Sequence, residues 1–215
     1  MNRLAELLRL GATPVLSRHG LRREAHNYSL ASEDGDLLVV SFDNGATAPK
    51  DTAAEIMAGC FPRYFLERLN ERRGKPDRVP HASMAMLHWR IDAPADASYA
   101  PGGGEPYAAW WALGEATPRT AQALARALET TAVPRLLSLR TAAAQYAAVE
   151  AEWPVPDHDL HHGNKFWDRV LVRLGRAPRP EVERLLEQIP SDDMFAQPSA
   201  RFKAWVRQRL DGVYG

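Results

Sequence analysis

Between Asp157 and His162 the sequence reads Asp-His-Asp-Leu-His-His, three histidines and two aspartates in six positions. Histidines three or four residues apart share a helical face and can present two imidazoles to one metal ion, with Asp157 or Asp159 as a further ligand. Such a centre would belong to a metal-dependent hydrolase using His158, His161 and His162. Two features weigh against it. The cluster follows Pro154 and Pro156 and precedes Gly163-Asn164, a composition typical of a linker, where the helical-face argument does not apply. The metalloprotease pattern also needs a glutamate beside its first histidine, and Asp159-Leu160 does not supply it. The expectation is a polar helix entry and no resident cofactor, with His158, His161, His162 and Asp159 as the alternative ligand set.

His81 and His88 are seven residues apart in a stretch that reads as a strand. Period-two alternation then points them to opposite faces, so they cannot jointly grip a ligand. His88 shares a face with Met84, Met86 and Arg90. If that face is a groove, His88 is the acid or base to bet on, with Arg90 as anion clamp. Trp110 and Trp111 occupy adjacent strand positions, so one belongs to the core and the other either packs beneath a helix or stands exposed, where it would be a natural anchor for a protein partner. Arg22 and Arg23, in the basic cluster "RHGLRRE", are further binding residues. "PGGGEP" lacks the lysine and the following helix of a phosphate loop and reads as a flexible strand connection or a mobile lid over a surface. Cys60, the single cysteine, reads as a buried thiol.

The elements that must position these residues follow from periodicity. Leu4, Leu7 and Leu8 predict a short helix stopped by Gly11, and Thr13-Pro14 opens a second one closed by Gly20. A hairpin is expected over 26–43, turning at Asp34-Gly35. "FPRYFLERLNERRGK" predicts an amphipathic helix ending at Gly74. "HASMAMLHWRID" and "YAAWWAL" read as strands. From Thr117 the chain turns helical, with Pro134 breaking or kinking the first helix before another running through Leu136 and Tyr146. Three amphipathic segments follow the proline-rich stretch near 154. These patterns predict an α+β fold, with an antiparallel sheet of about four to five strands flanked by helices. The organisation expected is a main domain over residues 1–150 and a small C-terminal helical appendage over 151–215.

Order and residues together resemble a known family. A leading helix runs into "RHGLRREAHNYSL" and "DGDLLVVSFDNG", followed by "HASMAMLHWRID", "AWWAL" and "TAQALARALETTAVPRLLSLRT". This is similar to the uncharacterised bacterial domain of unknown function 4304, over roughly residues 1–145. The resemblance implies an α+β domain and brings no catalytic residues with it. The chain departs from the family pattern in having Leu21 where an aromatic is usual, and in showing no clear long third strand within "DTAAEIMAGCFPRYF".

Composition narrows the function classes. Lys plus Arg and Asp plus Glu are balanced at 27 each, which removes the overall positive field a nucleic-acid or anionic-membrane binder uses. Charged residues interrupt the apolar pattern of the first sixteen residues, so neither a signal peptide nor a membrane span is expected. With one cysteine and no disulfide, a cytoplasmic location is expected. No nucleophile, base and orienter converge in the sequence. The leading expectation is therefore a non-catalytic protein-interaction module, of adaptor or toxin-neutralising type, whose partner is another protein.

Overall fold

The structure, a computed structural model, describes residues 2–44, 51–74, 78–114, 117–151, 165–189 and 196–214. Its contacts divide the chain into two units, Met1–Phe61 with Asp77–Arg140, and Pro62–Pro76 with Thr141–Gly215.

In the first unit two long helices run through internal prolines. The first comprises α1 (Arg3–Leu7), a π-wound turn Leu8–Ala12 and α2 (Thr13–Arg18). Proline lacks an N–H and crowds the carbonyl four residues earlier, and the wider turn just before Pro14 accommodates this without ending the helix. Thr13 then donates its hydroxyl to the Leu8 carbonyl at 2.9 Å. The same solution recurs where α4 (Thr117–Ala127) passes through the π-wound turn Leu128–Ala132 into α5 (Val133–Ser138), around Pro134. Gly11 is therefore not the helix stop expected from sequence. It lies where the two helices meet: a Cβ there would stand 2.7 Å from the Ala121 carbonyl oxygen.

These helices cover one face of a seven-stranded antiparallel sheet, two or three strands more than expected. Its strands are β1 (Arg22–Glu24), β2 (Asn27–Ala31), β3 (Leu37–Asp43), β4 (Ala53–Phe61), β5 (Leu87–Arg90), β6 (Ser98–Tyr99) and β7 (Tyr107–Ala112), in the order β1-β2-β3-β4-β7-β6, with β5 also pairing β4. The additional strands are the short edges β1 and β6, too brief for a periodic signal. The central strand β4 is the long strand that 51–65 did not reveal. Nearly all its residues are buried, so alternation is absent and a fully covered strand reads as featureless. The expected hairpin over 26–43 is present as β2 and β3, with Asn27 paired to Ser41 and Ala31 to Leu37.

The helix-facing side of the sheet carries Tyr28, Leu38, Val40, Phe42, Ile56 and Trp111, each at most 2% exposed. Between β4 and β5, "HASMAMLHWR" is a strand only from Leu87. Ala82–Met84 forms a 3-10 turn with His81 as its cap. The period-two argument that set His81 and His88 on opposite faces therefore fails, since His81 is not on a strand.

The second unit is helical: α3 (Arg63–Arg73), α6 (Ala142–Glu150), α7 (Lys165–Arg173), α8 (Arg179–Glu187) and α9 (Ala196–Tyr214). It thus gathers α3 and α6 with the helices beyond residue 151, whereas the boundary expected at 150 rested on the prolines at 154 and 156, which lie outside the described residues. On α3, Arg68 lies against the rings of Trp167 (5.1 Å), Phe202 (4.8 Å) and Trp205 (5.6 Å). Trp167 and Phe202 are stacked with centroids 4.6 Å apart. Arg209 pairs with Glu67 at 2.8 Å and with Glu71, which also accepts the Trp205 indole N–H at 2.7 Å. In the first turn of α7, burial pushes the Asp168 carboxyl up to about 7. No helix among the described residues is long and apolar enough to cross a membrane.

Candidate functional site

Register assigns residues to the second face of the sheet. Asp43 stands opposite Glu55, Ser41 opposite Met57, Val39 opposite Gly59, and on the other side of β4 Met57 faces Arg90 and Gly59 faces His88. Ala54 pairs with Trp111, so Glu55 and Trp110, the next residues in their strands, share this face. It therefore carries Asp43, Glu55, His88, Arg90 and Trp110 together, while Trp111 points into the core.

Half of the face is closed by the segment before β5. Ser41, fully buried, accepts the Ala82 N–H at 2.8 Å. Gly59 permits this approach: a Cβ there would stand 2.5 Å from the Ala85 Cβ and 2.9 Å from the Ala82 carbonyl oxygen. His88 donates from Nδ1 to the Ala85 carbonyl at 2.8 Å, which fixes the tautomer and leaves Nε2 as the acceptor. His81 is the reverse. Its Nδ1 accepts from the Ser83 N–H at 3.3 Å, so Nε2 carries the proton, and that atom is buried with no hydrogen-bond partner among the described residues. Burial lowers the His81 pKa although Asp43 and Glu55 pull the other way. The imidazole is therefore neutral at pH 7.

The other half is open and aromatic. Tyr107 is 49% exposed. It meets the Trp110 ring edge-on at 4.7 Å, and Tyr99 lies against the same indole at 6.2 Å. Arg90 gives its Nε to Asp92 at 2.7 Å. Burial opposes the Arg90 charge, but the hydrogen bond to Asp92, with Asp92, Tyr107 and Glu55 close by, raises its pKa above the ordinary arginine value. Beyond Asp92, an open cleft of about 430 Å³ is lined by Asp92, Ala93, Pro94, Asp96 and the α4 residues Ala123, Arg126 and Ala127.

The sheet thus brings together three of the residues singled out from sequence, His88, Arg90 and Trp110. Arg22 and Arg23 are exposed on β1, four strand steps from Trp110 or about 19 Å at ordinary strand spacing, and take no part in this cluster. His158, Asp159, His161 and His162 lie outside the described residues. Among the described residues no three His, Cys, Asp or Glu side chains converge as metal ligands. Cys60 is buried, its thiol directed at the Leu139 carbonyl. Sequence reasoning missed Asp43, Glu55, Tyr99 and Tyr107, whose proximity exists only through strand register.

Compared with protein-family models, with curated proteins and with solved structures, the chain has no match.

Proposed function

We propose that this chain is a non-catalytic protein-binding module of adaptor or toxin-neutralising type, acting in a bacterial cytoplasm, and that the open half of the second sheet face is where its partner docks. The observation that carries this reading is the Tyr99, Tyr107 and Trp110 cluster. Two tyrosine rings against one indole at the edge of a sheet, with Tyr107 half exposed, form the kind of rigid amphipathic anchor that dominates protein interfaces. The surrounding Glu55, Arg90 and Asp92 supply the polar rim such a patch requires. The test compares proteins retained by the wild-type chain and by a Tyr107→Ala, Trp110→Ala double variant. A partner retained by the first and lost by the second supports the reading; identical retention removes it.

A second reading has one observation in its favour. His88 is held in a single tautomer with Nε2 available as a base beside Arg90, the arrangement a histidine-dependent hydrolase would use. It requires a nucleophile or activated water that His88 can serve. Any hydrolytic activity found for the chain should then fall at least a hundredfold in His88→Ala. Activity unchanged in that variant would leave His88 as a structural residue.

A further inference from the structure

The cleft beyond Asp92 has two walls, both within the first unit. One is the chain from Asp92 to Asp96. The other is the face of α4 that carries Ala123, Arg126 and Ala127, positions three and four apart and therefore neighbours on the helix surface. We infer that this cleft binds a small zwitterion, a free α-amino acid with an aliphatic side chain, its carboxylate on Arg126 and its ammonium group on Asp96.

Both walls are anchored. The Ala93 N–H donates to the Ala108 carbonyl at 2.7 Å and the Ala112 N–H to the Ala97 carbonyl at 2.9 Å, so β7 grips the first wall at both ends. The Ser98 hydroxyl is shared between the Ala93 carbonyl at 3.0 Å and the Pro94 carbonyl at 2.8 Å, and the Ala97 N–H closes a turn onto Pro94 at 2.9 Å. On α4, Thr130 of the π-wound turn donates its hydroxyl to the Arg126 carbonyl at 2.8 Å. A site fixed before its ligand arrives loses less affinity to ordering.

The lining then selects the ligand. Asp92 is already held by Arg90 at 2.7 Å. Asp96 and Arg126 are exposed and, among the described residues, are in no ion pair with each other or with another side chain. A carboxylate on one wall and a guanidinium on the other suit a ligand that carries both charges. The planar guanidinium accepts a carboxylate bidentately, and an ammonium group donates to Asp96. The rest of the lining is apolar: Ala93 and Ala123 are 5% and 3% exposed, and Pro94 and Ala127 bring no polar side-chain atom. An aliphatic side chain laid over them leaves water. A simple anion would meet Asp96 as well as Arg126, and a simple cation the reverse. The volume, about 430 Å³, falls toward the lower end of small-molecule sites. Tyr99, Tyr107 and Trp110 do not line this cleft, so the inference stands apart from the docking reading.

The experiment follows the amide resonances of Ala123 and Ala127 in the full chain during titration with three probes: L-leucine, L-leucine amide, which lacks the carboxylate, and N-acetyl-L-leucine, which lacks the ammonium group. The expected result is a saturable shift with leucine and binding at least tenfold weaker for each blocked form. Arg126→Gln and Asp96→Asn, both at exposed positions, should each weaken leucine at least tenfold in chains whose spectra are otherwise those of the folded protein. Arg126→Gln should not weaken leucine amide further, nor Asp96→Asn the acetylated form, because the group that each substitution removes has no charge left to meet. No shift with leucine, blocked forms that bind as well as leucine, or undiminished binding in either variant would each overturn the assignment.

Discussion

Trp110 and Trp111 are adjacent in β7 and stand on opposite faces of the sheet. Trp111 is fully buried and donates its indole N–H to the Ile91 carbonyl at 2.7 Å. Trp110 lies in the half-open ring cluster with Tyr99 and Tyr107. One residue belongs to the core and its neighbour to the ring cluster of the second sheet face. Truncation separates the two roles: Trp111→Ala should cost about 3–5 kcal/mol, as large aromatic-to-alanine changes in cores do, and Trp110→Ala no more than about 1.5 kcal/mol. Urea unfolding of both variants is the check, and equal losses would show the faces to be wrongly assigned.

Gly59 lets the segment that closes half of the second sheet face, with Ala82 and Ala85, lie directly against β4. Gly59→Ala places a methyl group 2.5 Å from the Ala85 Cβ and 2.9 Å from the Ala82 carbonyl oxygen. Backbone must move, so the variant should lose about 1–3 kcal/mol. Unchanged stability in thermal or chemical unfolding would mean the 81–85 segment does not lie against β4 as described.

Asp168 gives a pH signature of defined sign. The folded carboxyl holds its proton up to about pH 7, whereas the ordinary aspartate value is 3.8. Between those values the folded state binds more protons than the unfolded state, so this group's contribution to stability falls as pH rises through that window and is flat above it. The full loss is at most about 4 kcal/mol. Asp168→Asn should therefore stabilise the chain at pH 8, leave it nearly unchanged at pH 4, and flatten the difference between the two. Denaturant midpoints measured across that range decide it, and a variant that is less stable at pH 8 contradicts the account.

Arg68 makes ring contacts in the helical unit that lysine cannot reproduce. A planar guanidinium lies flat against indole, while an ammonium is a compact point charge. Arg68→Ala should cost about 1–2 kcal/mol, and Arg68→Lys should recover less than half of that. Full recovery by lysine would show that charge alone matters there.

The fold was legible where apolar residues alternate or recur. The hairpin of β2 and β3, the strand bearing both tryptophans, and the amphipathic helices α3, α7, α8 and α9 all announce themselves by period. Helices running through Pro14 and Pro134 were not legible, because a π-wound turn upstream leaves no distinct residue pattern, and Gly11 and Pro134 read locally as stop signals. β4 was hidden by burial on both sides. At the candidate site, His88, Arg90 and Trp110 were visible as residue types on alternating positions. Asp43 and Glu55 were not, since their opposition depends on how β3 pairs with β4, and they lie 12 positions apart in the chain. His81 was visible but misplaced, because a 3-10 turn interrupts what reads as one strand.

The central claim, that the Tyr99, Tyr107 and Trp110 face receives a protein partner, is tested most directly by photo-crosslinking in the native cell. A photoreactive phenylalanine analogue is placed at Tyr107 in one chain and at Val213, exposed on α9, in another. The account predicts a discrete crosslinked product of defined mass from position 107, absent from position 213, and abolished when Trp110→Ala accompanies it. No product from position 107, or the same product from both positions, would contradict it.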